Sequence, residues 1–374
     1  MRQDITWVGI DDHKNHLQVS VLRGDEPESA IKQARIVTDR QAVRRWIRKL
    51  RREAPGPVLC VYEAGPLGFT LQRWIEAAGG ACEVAAPSRT PRAQGERVKT
   101  DRRDSRKLAM LYRSGMLRMV HPPSPEQEAR RDLARQRNQA GEDLRRSMQR
   151  INKFLLRRGL IWRKTNWTQE FLRWLRGLRF EDGLTGQILH EYLVQYEERR
   201  ERVAHLDRLI EEAAKKEAVR EKVGWLRCFR GIDTLTAFTI VTTLHSPERF
   251  RSAEELMSFV GLTGSESSTS TLRKLGPITK QGDKLLRRLL VEAAKQQRRK
   301  VTLSGPLRAR RDGQPGWVIE IADKAMKRLH RKYYELIYRG KHANVAAVAV
   351  ARELVGFIWE VLQHDAAQTM KRAS

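Results

Sequence analysis

Trp7-Val8-Gly9-Ile10-Asp11 is a short apolar run that ends in an acid, and Leu17-Gln18-Val19-Ser20-Val21 soon after it alternates apolar with polar residues. A period of two is the pattern of a half-buried strand. Gly24 and Pro27 mark the turn region that follows. From Gln41 to Arg52, the residues Val43, Trp46, Ile47 and Leu50 recur at helical spacing. Val58 to Tyr62 is a continuous apolar run bounded by Pro57 and Gly65, which predicts a buried strand. Leu71, Trp74, Ile75 and Ala78 predict the next helix, closed by Gly79-Gly80. Cys82 to Ala86 is a third buried strand, stopped by Pro87. Strand, strand, helix, strand, helix, strand within residues 1–122 argues an α/β domain.

The texture changes at Ser124. Ser124-Pro125-Glu126-Gln127 combines an N-cap, a proline at the first helical position and a capping-box glutamine. A long helix follows, with Leu133, Ala140, Leu144, Met148, Ile151 and Leu155 along one side. A second runs from about Gln187 to Val223. Two charged helices with a narrow apolar seam make a helical coiled-coil segment over residues 123–223, either an internal antiparallel hairpin or a coil between chains. Residues 224–374 predict an α-helical domain. In it, Arg230-Gly231-Ile232-Asp233 reads as a helix–helix corner or a helix-hairpin-helix, Gly264 to Thr271 is a polar patch, and Thr279 to Arg299 is a strongly basic helix. Val345 to Leu362, interrupted by Arg352, Glu353 and Glu360, reads as a buried helix and not a membrane span.

Lys and Arg number 73 against 45 Asp and Glu, a net charge of +28 on 374 residues. Arginine dominates the basic runs, as in Arg44-Arg45, Arg130-Arg131 and Arg308 to Arg311. Its planar fork grips phosphate by two hydrogen bonds, so nucleic acid is the first expectation for a partner and a membrane surface the second. With 40% hydrophobic residues, the chain is no disordered basic tail. Cys60, Cys82 and Cys228 form no CxxC pair, which excludes a disulfide scaffold and fits a reducing cytoplasm. Met1 to Trp7 carries charge where a signal peptide needs apolar residues.

Four acids stand where reactive groups gather. Asp11 and Glu63 end buried strands, and Asp101 and Asp104, three apart, open a helix with both carboxylates on one face. Converging carboxylates repel unless a divalent cation neutralises them, and Mg²⁺ prefers oxygen ligands. Each acid alone has a plainer reading as a turn or capping residue, Asp101 above all, and Asp12 points to the opposite face from Asp11. The order Asp, Glu, Asp, Asp across two strands and a helix is more specific than any one of them.

Val8-Gly9-Ile10-Asp11, Tyr62-Glu63-Ala64-Gly65 and Lys99-Thr100-Asp101-Arg102-Arg103-Asp104 resemble the three motifs of the DEDD transposases of the insertion-sequence 110 family. Phe259-Val260-Gly261-Leu262-Thr263, the serine-rich patch, Gly276 to Gly282 and Leu285 to Ala294 resemble that family's second transposase domain. The resemblance covers nearly the whole chain. It implies a RuvC-like, RNase H-type first domain whose four acids, Asp11, Glu63, Asp101 and Asp104, hold Mg²⁺, and a nucleophilic serine in the polar patch. Relatives carry a proline after Gly-Leu-Thr and a Ser-Gly pair near the nucleophile, where this chain has Gly264 and Ser268-Thr269-Ser270. Counting from Gly261 reaches Thr269, and counting back from Lys280 reaches Ser268; a threonine is hindered at its β-carbon, which favours Ser268. Arg273, Lys274, Lys280, Lys284, Arg287 and Arg288 are the nearby groups suited to a phosphate. The resemblance further implies double-stranded donor and target DNA, a structured non-coding bridge RNA as guide, assembly from dimer to tetramer, and a bacterial cytoplasmic setting. Trp162, Trp167 and Trp174 among the basic residues are either core or platforms for unpaired bases.

Overall fold

The computed structural model describes residues 4–65, 67–87, 90, 100–268 and 273–373, with the side chains of 267–268, 273–275 and 365–373 outside the description. The chain divides into two compact units, Met1–Pro123 and Ser124–Ser374.

The first unit is built on a six-stranded mixed sheet. Its strands are β1 (Thr6–Asp12), β2 (His16–Arg23), β3 (Lys32–Val37), β4 (Val58–Glu63), β5 (Ala81–Ala85) and β6 (Met119–Val120), with α1 (Arg40–Glu53), α2 (Thr70–Ala77) and α3 (Asp101–Arg113). The spatial order is β3-β2-β1-β4-β5-β6. β1 runs parallel to β4, and β4 to β5, while β2, β3 and β6 pair antiparallel with their neighbours. The expected strands and helices are present. β3 was not foreseen, because Lys-Gln-Ala-Arg-Ile-Val lies almost wholly exposed and shows no apolar alternation.

Alternation along the strands sorts their side chains onto two faces. Val8 and Ile10 of β1, Val19 of β2, and Cys60 and Tyr62 of β4 join Val43 and Ile47 of α1 and Leu71 and Ile75 of α2 in one core. Trp7, Leu22 and Val61 face the other way, against Leu108 and Tyr112 of α3. Trp7 meets Tyr112 edge to face at 5.2 Å. Gly9 lies on this second face. A Cβ there would sit 2.1 Å from the Ser105 carbonyl oxygen and 2.4 Å from the Ala109 nitrogen, so the missing side chain lets α3 lie directly on β1. Ser20, paired with Gly9 across β1 and β2, hydrogen-bonds Ser105 at 2.9 Å.

The second unit opens with α4 (Pro125–Leu156), carrying the expected capping box between Ser124 and Gln127. Then come α5 (Gln169–Gly177), α6 (Gly183–Ala214), α7 (Glu217–Arg227), α8 (Thr234–Leu244) and α9 (Ala253–Val260). β7 (Gly264–Ser268) and β8 (Arg273–Ile278) form an antiparallel pair, followed by α10 (Lys284–Lys295), α11 (Gly305–Arg311), α12 (Gly316–Tyr338) and α13 (Ala343–Ala373). The region is thus mostly helical and not all-α. The two-stranded ribbon escapes a sequence reading because its ladder is made of backbone, and Gly-Ser-Glu-Ser-Ser offers no apolar face.

The seam of α4 is filled within the chain. Ala134, at one end of α4, shares a core with Ile210 and Ala214 at the far end of α6. At the other end, Ile151, Phe154 and Leu155 pack with Leu189, Leu193 and Tyr196. The two helices are therefore antiparallel, and Arg137 pins them with a two-pronged bond to Asp207 at 2.7 and 3.1 Å. α5 closes the distal end with Phe171, Leu172 and Leu175. Trp162, Trp167 and Trp174 surround Phe171 at centroid distances of 5.2 to 5.7 Å and belong to this core. The base of the hairpin shares its core with Phe229, Phe238, Leu286, Leu329 and Leu354 of the later helices. Gly231, with φ 83°, brings the α7–α8 corner against Ala293 of α10, where a Cβ would meet the Ala293 carbonyl oxygen at 2.6 Å. The corner is packing, and Asp233 caps α8 through the Thr236 N–H. α13 buries Val350, Leu354, Ile358 and Val361. Among the described residues no helix is long and apolar enough to cross a membrane.

Candidate active site

The fold brings Asp11, Asp101 and Asp104 within reach of one another's charge for a simple reason. Asp11 follows Ile10 and so faces the side of Gly9, toward α3. Glu63 follows Tyr62, the register partner of Ile10, and lies beside Asp11 on the same face of the parallel pair. Because α3 rests on Gly9, its first turn, which carries Asp101 and Asp104, arrives at the carboxyl end of β1. Asp101 does not serve as the cap it resembles, since Thr100 occupies that position.

Charge coupling reports the convergence. Burial pushes the Asp11 carboxyl above its ordinary range; His13 opposes the rise, and the negative charges of Asp104 and Asp101 add to it. Asp101 is the exposed member. Slight desolvation works upward on it, but the hydrogen bond from His16 and the charge of His13 hold its carboxyl below the usual range. His13 Nε2 lies 3.3 Å from Asp11 Oδ2 and 3.3 Å from Asp101 Oδ2, and His16 Nε2 lies 3.4 Å from Asp101 Oδ2. Neither histidine was singled out from sequence; the spacing Asp11-x-His13-x-x-His16 was the available signal.

Asp12 takes the opposite side, as alternation requires. Its side chain is buried against Gly65, where a Cβ would stand 2.8 Å from Oδ1. Burial raises its carboxyl to about 6, partly offset by the Leu67 N–H. Beside Asp101, an open groove is lined by His16, Gln18, Gln33, Arg35, Asp101 and Arg102, with two guanidinium groups suited to a phosphate backbone. Asp11 is raised partly by the charge of Asp104 and Asp101, and among the described residues the group whose ligand atoms all lie within 4.8 Å of one another is His13, His16 and Asp101, a nitrogen- and oxygen-bearing set able to take a divalent cation.

In the second unit, Ser268 is the last residue of β7 and pairs with Arg273 of β8. Thr269 lies outside the described residues, and for Arg273 and Lys274 the strand position alone is described. Lys280, with φ 56°, and Lys284, at the start of α10, are exposed. Arg287 and Arg288 are half-buried and engaged within the protein. Arg287 donates to the Val260 and Gln281 carbonyls at 2.9 and 3.2 Å, and Arg288 bonds Glu292 and Asn138.

Comparisons with known proteins agree with this geometry. Residues 8–158 match the sequence model of the DEDD transposase domain, and residues 225–306 match that of the transposase IS116/IS110/IS902 family. The chain is 34% identical to the transposase for insertion sequence element IS1533 of Leptospira borgpetersenii, over 88% of this chain and 96% of that one. It is 36% identical to y4qE of Sinorhizobium fredii, which carries the name of a transposase, over 97% and 90% of the two chains. The class is that of transposases, enzymes that cut and join DNA. Within it, the chain belongs to the IS116/IS110/IS902 family, with a DEDD domain at its N-terminal end. A DEDD domain points to use of a divalent metal.

Proposed function

We propose that this transposase breaks and rejoins donor and target DNA through a covalent phosphoserine intermediate, directed by a structured bridge RNA. The observation that supports the reading is the charge coupling of Asp11 with Asp101 and Asp104 at the carboxyl end of β1, with Glu63 ending the neighbouring parallel strand β4. The mixed sheet with its acids at that edge supports the RuvC-like, RNase H-type assignment of residues 1–122. Residues 123–223 then act as a helical arm and 224–374 as the serine-bearing domain.

In this reading the four carboxylates hold Mg²⁺, which when bound supplies positive charge to the scissile phosphate. The Ser268 hydroxyl, with Thr269 as alternate, attacks phosphorus. An O–P bond to the side chain forms as the P–O bond within the DNA breaks; the hydroxyl gives up its proton and the departing DNA oxygen gains one. A DNA hydroxyl later reverses the step, so the bond energy is conserved. Arg273, Lys274, Lys280, Lys284, Arg287 and Arg288 are the cationic set assigned to phosphate, with Lys280 and Lys284 the members whose side chains lie exposed. Base pairing by the RNA reads sequence, and protein contacts go to backbone and helix shape. Strand exchange between two DNA molecules needs more than one active site, hence a dimer or tetramer. Leu156, Ile161 and Leu184, exposed by 67%, 66% and 63% near the tip of the α4–α6 hairpin, give that assembly an apolar contact.

The test is covalent trapping. Protein, RNA transcribed from the flanking element, labelled DNA and Mg²⁺ are combined and resolved on a denaturing gel. The expected result is a protein-linked band that is lost in Asp11→Ala and in one of Ser268→Ala and Thr269→Ala, which names the nucleophile. Cleaved DNA without that band refutes the covalent reading in favour of a nuclease that uses water.

A further inference from the structure

The α7–α8 corner carries a basic hollow to which the reading above gives no role. It measures about 300 Å³ and opens between the end of α6, one side of α7, the first residue of α8 and the turn before α12. Lys215, Arg220 and Arg227 line it, together with Gln314, Thr234 and one acid, Glu211. Lys215, Arg220 and Glu211 are exposed, while Arg227, Thr234 and Gln314 are half-buried. Gln314 lies over Gly224, where a Cβ would stand 2.8 Å from its Oε1, so the missing side chain leaves room for the amide.

The donors of this hollow are uncommitted. Arg137, Arg311 and Arg328 of the same unit are bound to Asp207, Asp323 and Glu353. The side chains of Lys215, Arg220, Arg227 and Gln314 make no hydrogen bond or ion pair among the described residues. One carboxylate against three cations leaves the hollow positive. Arg310, which donates to the Ile232 carbonyl at 3.0 Å, brings a further charge near Arg227. Burial, and after it the charge of Arg227, hold the Arg310 guanidinium below its ordinary range. Cations gathered without counter-charges repel one another, and a bound anion relieves that repulsion. A guanidinium fork matches phosphate oxygens in pairs, and an amide or hydroxyl adds a donor without charge.

We propose that the hollow binds a phosphodiester group of a nucleic-acid backbone, held by Lys215, Arg220 and Arg227 with Gln314 and Thr234 as neutral donors. The inference rests on the reading of the chain as a nucleic-acid-binding transposase and adds a contact outside the basic set that follows Ser268. A backbone contact carries no sequence information; it fixes where the nucleic acid lies against the base of the hairpin arm.

Fluorescence anisotropy of the full-length protein with a labelled DNA duplex and with a labelled RNA hairpin, each over a salt series, tests this. Arg220→Gln and Arg227→Gln should each weaken at least one probe about fivefold and lower its slope of log affinity against log salt by about one. Glu211→Gln removes the acid of the hollow and should tighten the same probe about threefold, a direction that loss of folding cannot give. Arg331→Gln, at an exposed arginine of α12 paired with Glu335, controls for loss of charge alone and should change affinity less than about twofold. The probe that responds names the source of the phosphate as DNA or RNA. If Arg227→Gln does not fold, the exposed positions 220 and 211 decide. Affinity within about twofold of wild type for both probes in Arg220→Gln overturns the inference, as does a Glu211→Gln that fails to tighten or an Arg331→Gln that weakens equally. If wild type binds neither probe, the nucleic-acid reading itself falls; if wild type binds and the variants fail as stated, that reading stands and the hollow is no phosphate site.

Discussion

Gly9→Ala places one methyl group between β1 and α3. Its carbon would stand 2.1 Å from the Ser105 carbonyl oxygen and 2.4 Å from the Ala109 nitrogen, both backbone atoms of a helix that cannot swing aside like a side chain. Restoring an ordinary separation of about 3.4 Å requires α3 to retreat by about 1.3 Å. Such overpacking costs about 1–3 kcal/mol of stability. The larger consequence falls on the site, because Asp101 and Asp104 ride on the first turn of α3 and move away from Asp11 and Glu63. A misplacement near 1 Å costs on the order of 100-fold in rate. Urea unfolding measures the first effect, and the rate at which protein-linked DNA accumulates under native conditions measures the second. Gly177→Ala is the control, since a Cβ there meets nothing within 4 Å. Gly9→Ala with stability within about 0.5 kcal/mol of wild type and a rate within about threefold would refute the argument that α3 lies on Gly9 and delivers the acids.

Other substitutions probe separate parts of the fold. Burial raises the Asp12 carboxyl to about 6, so the folded protein holds this proton more tightly than the unfolded chain, where Asp titrates near 3.9. The buried charge therefore costs stability above about pH 6, and the cost is relieved as pH falls toward about 4. Asp12→Asn should gain about 1–2 kcal/mol at pH 7.5, after allowance for partial solvent screening, and nothing at pH 4; denaturation at the two pH values checks it, and an equal difference at both refutes it. Phe171→Ala removes the ring at the centre of the distal tryptophans and should cost about 3–5 kcal/mol, read as a lower melting temperature and early proteolysis of the hairpin end. Lys284→Ala should leave stability unchanged and lower the slope of log affinity for nucleic acid against log salt by about one. Arg287→Ala should instead cost about 1–3 kcal/mol, because the Val260 and Gln281 carbonyls lose their donor.

What could be read from the sequence, and what could not, follows from where burial leaves a mark. The apolar runs at Trp7 to Asp11 and Val58 to Tyr62 are buried on both faces, so their strand character is written in every residue. β3 is an exposed edge and β7–β8 a polar ribbon, each held by backbone pairing that any side chain can accompany, so neither has a signature. The places of Asp11 and Glu63 toward strand ends and of Asp101 and Asp104 on the first turn of α3 were legible because strand and helix boundaries leave clear marks in the sequence. His13 and His16 were not, because a polar turn between two strands resembles any other until the turn folds back on Asp101. Gly9 left a faint trace as a small residue in an otherwise bulky strand. The tryptophans were ambiguous, since aromatic residues among arginines have the same composition whether they line a core or a groove; the partners around Phe171 decide for the core.

The antiparallel hairpin also constrains how this lineage can change. α4 and α6 each have 32 residues, so the arm reaches about 48 Å, with Arg137 against Asp207 near its base and Phe154 against Tyr192 farther out. A deletion in one helix between those contacts would slide its remaining apolar residues out of step with the other. Shorter or longer arms are therefore reachable only when both helices lose or gain together, in steps close to a whole turn. Arm length should drift among descendants by paired insertions and deletions, coupled across some seventy residues of chain that no local sequence signal connects.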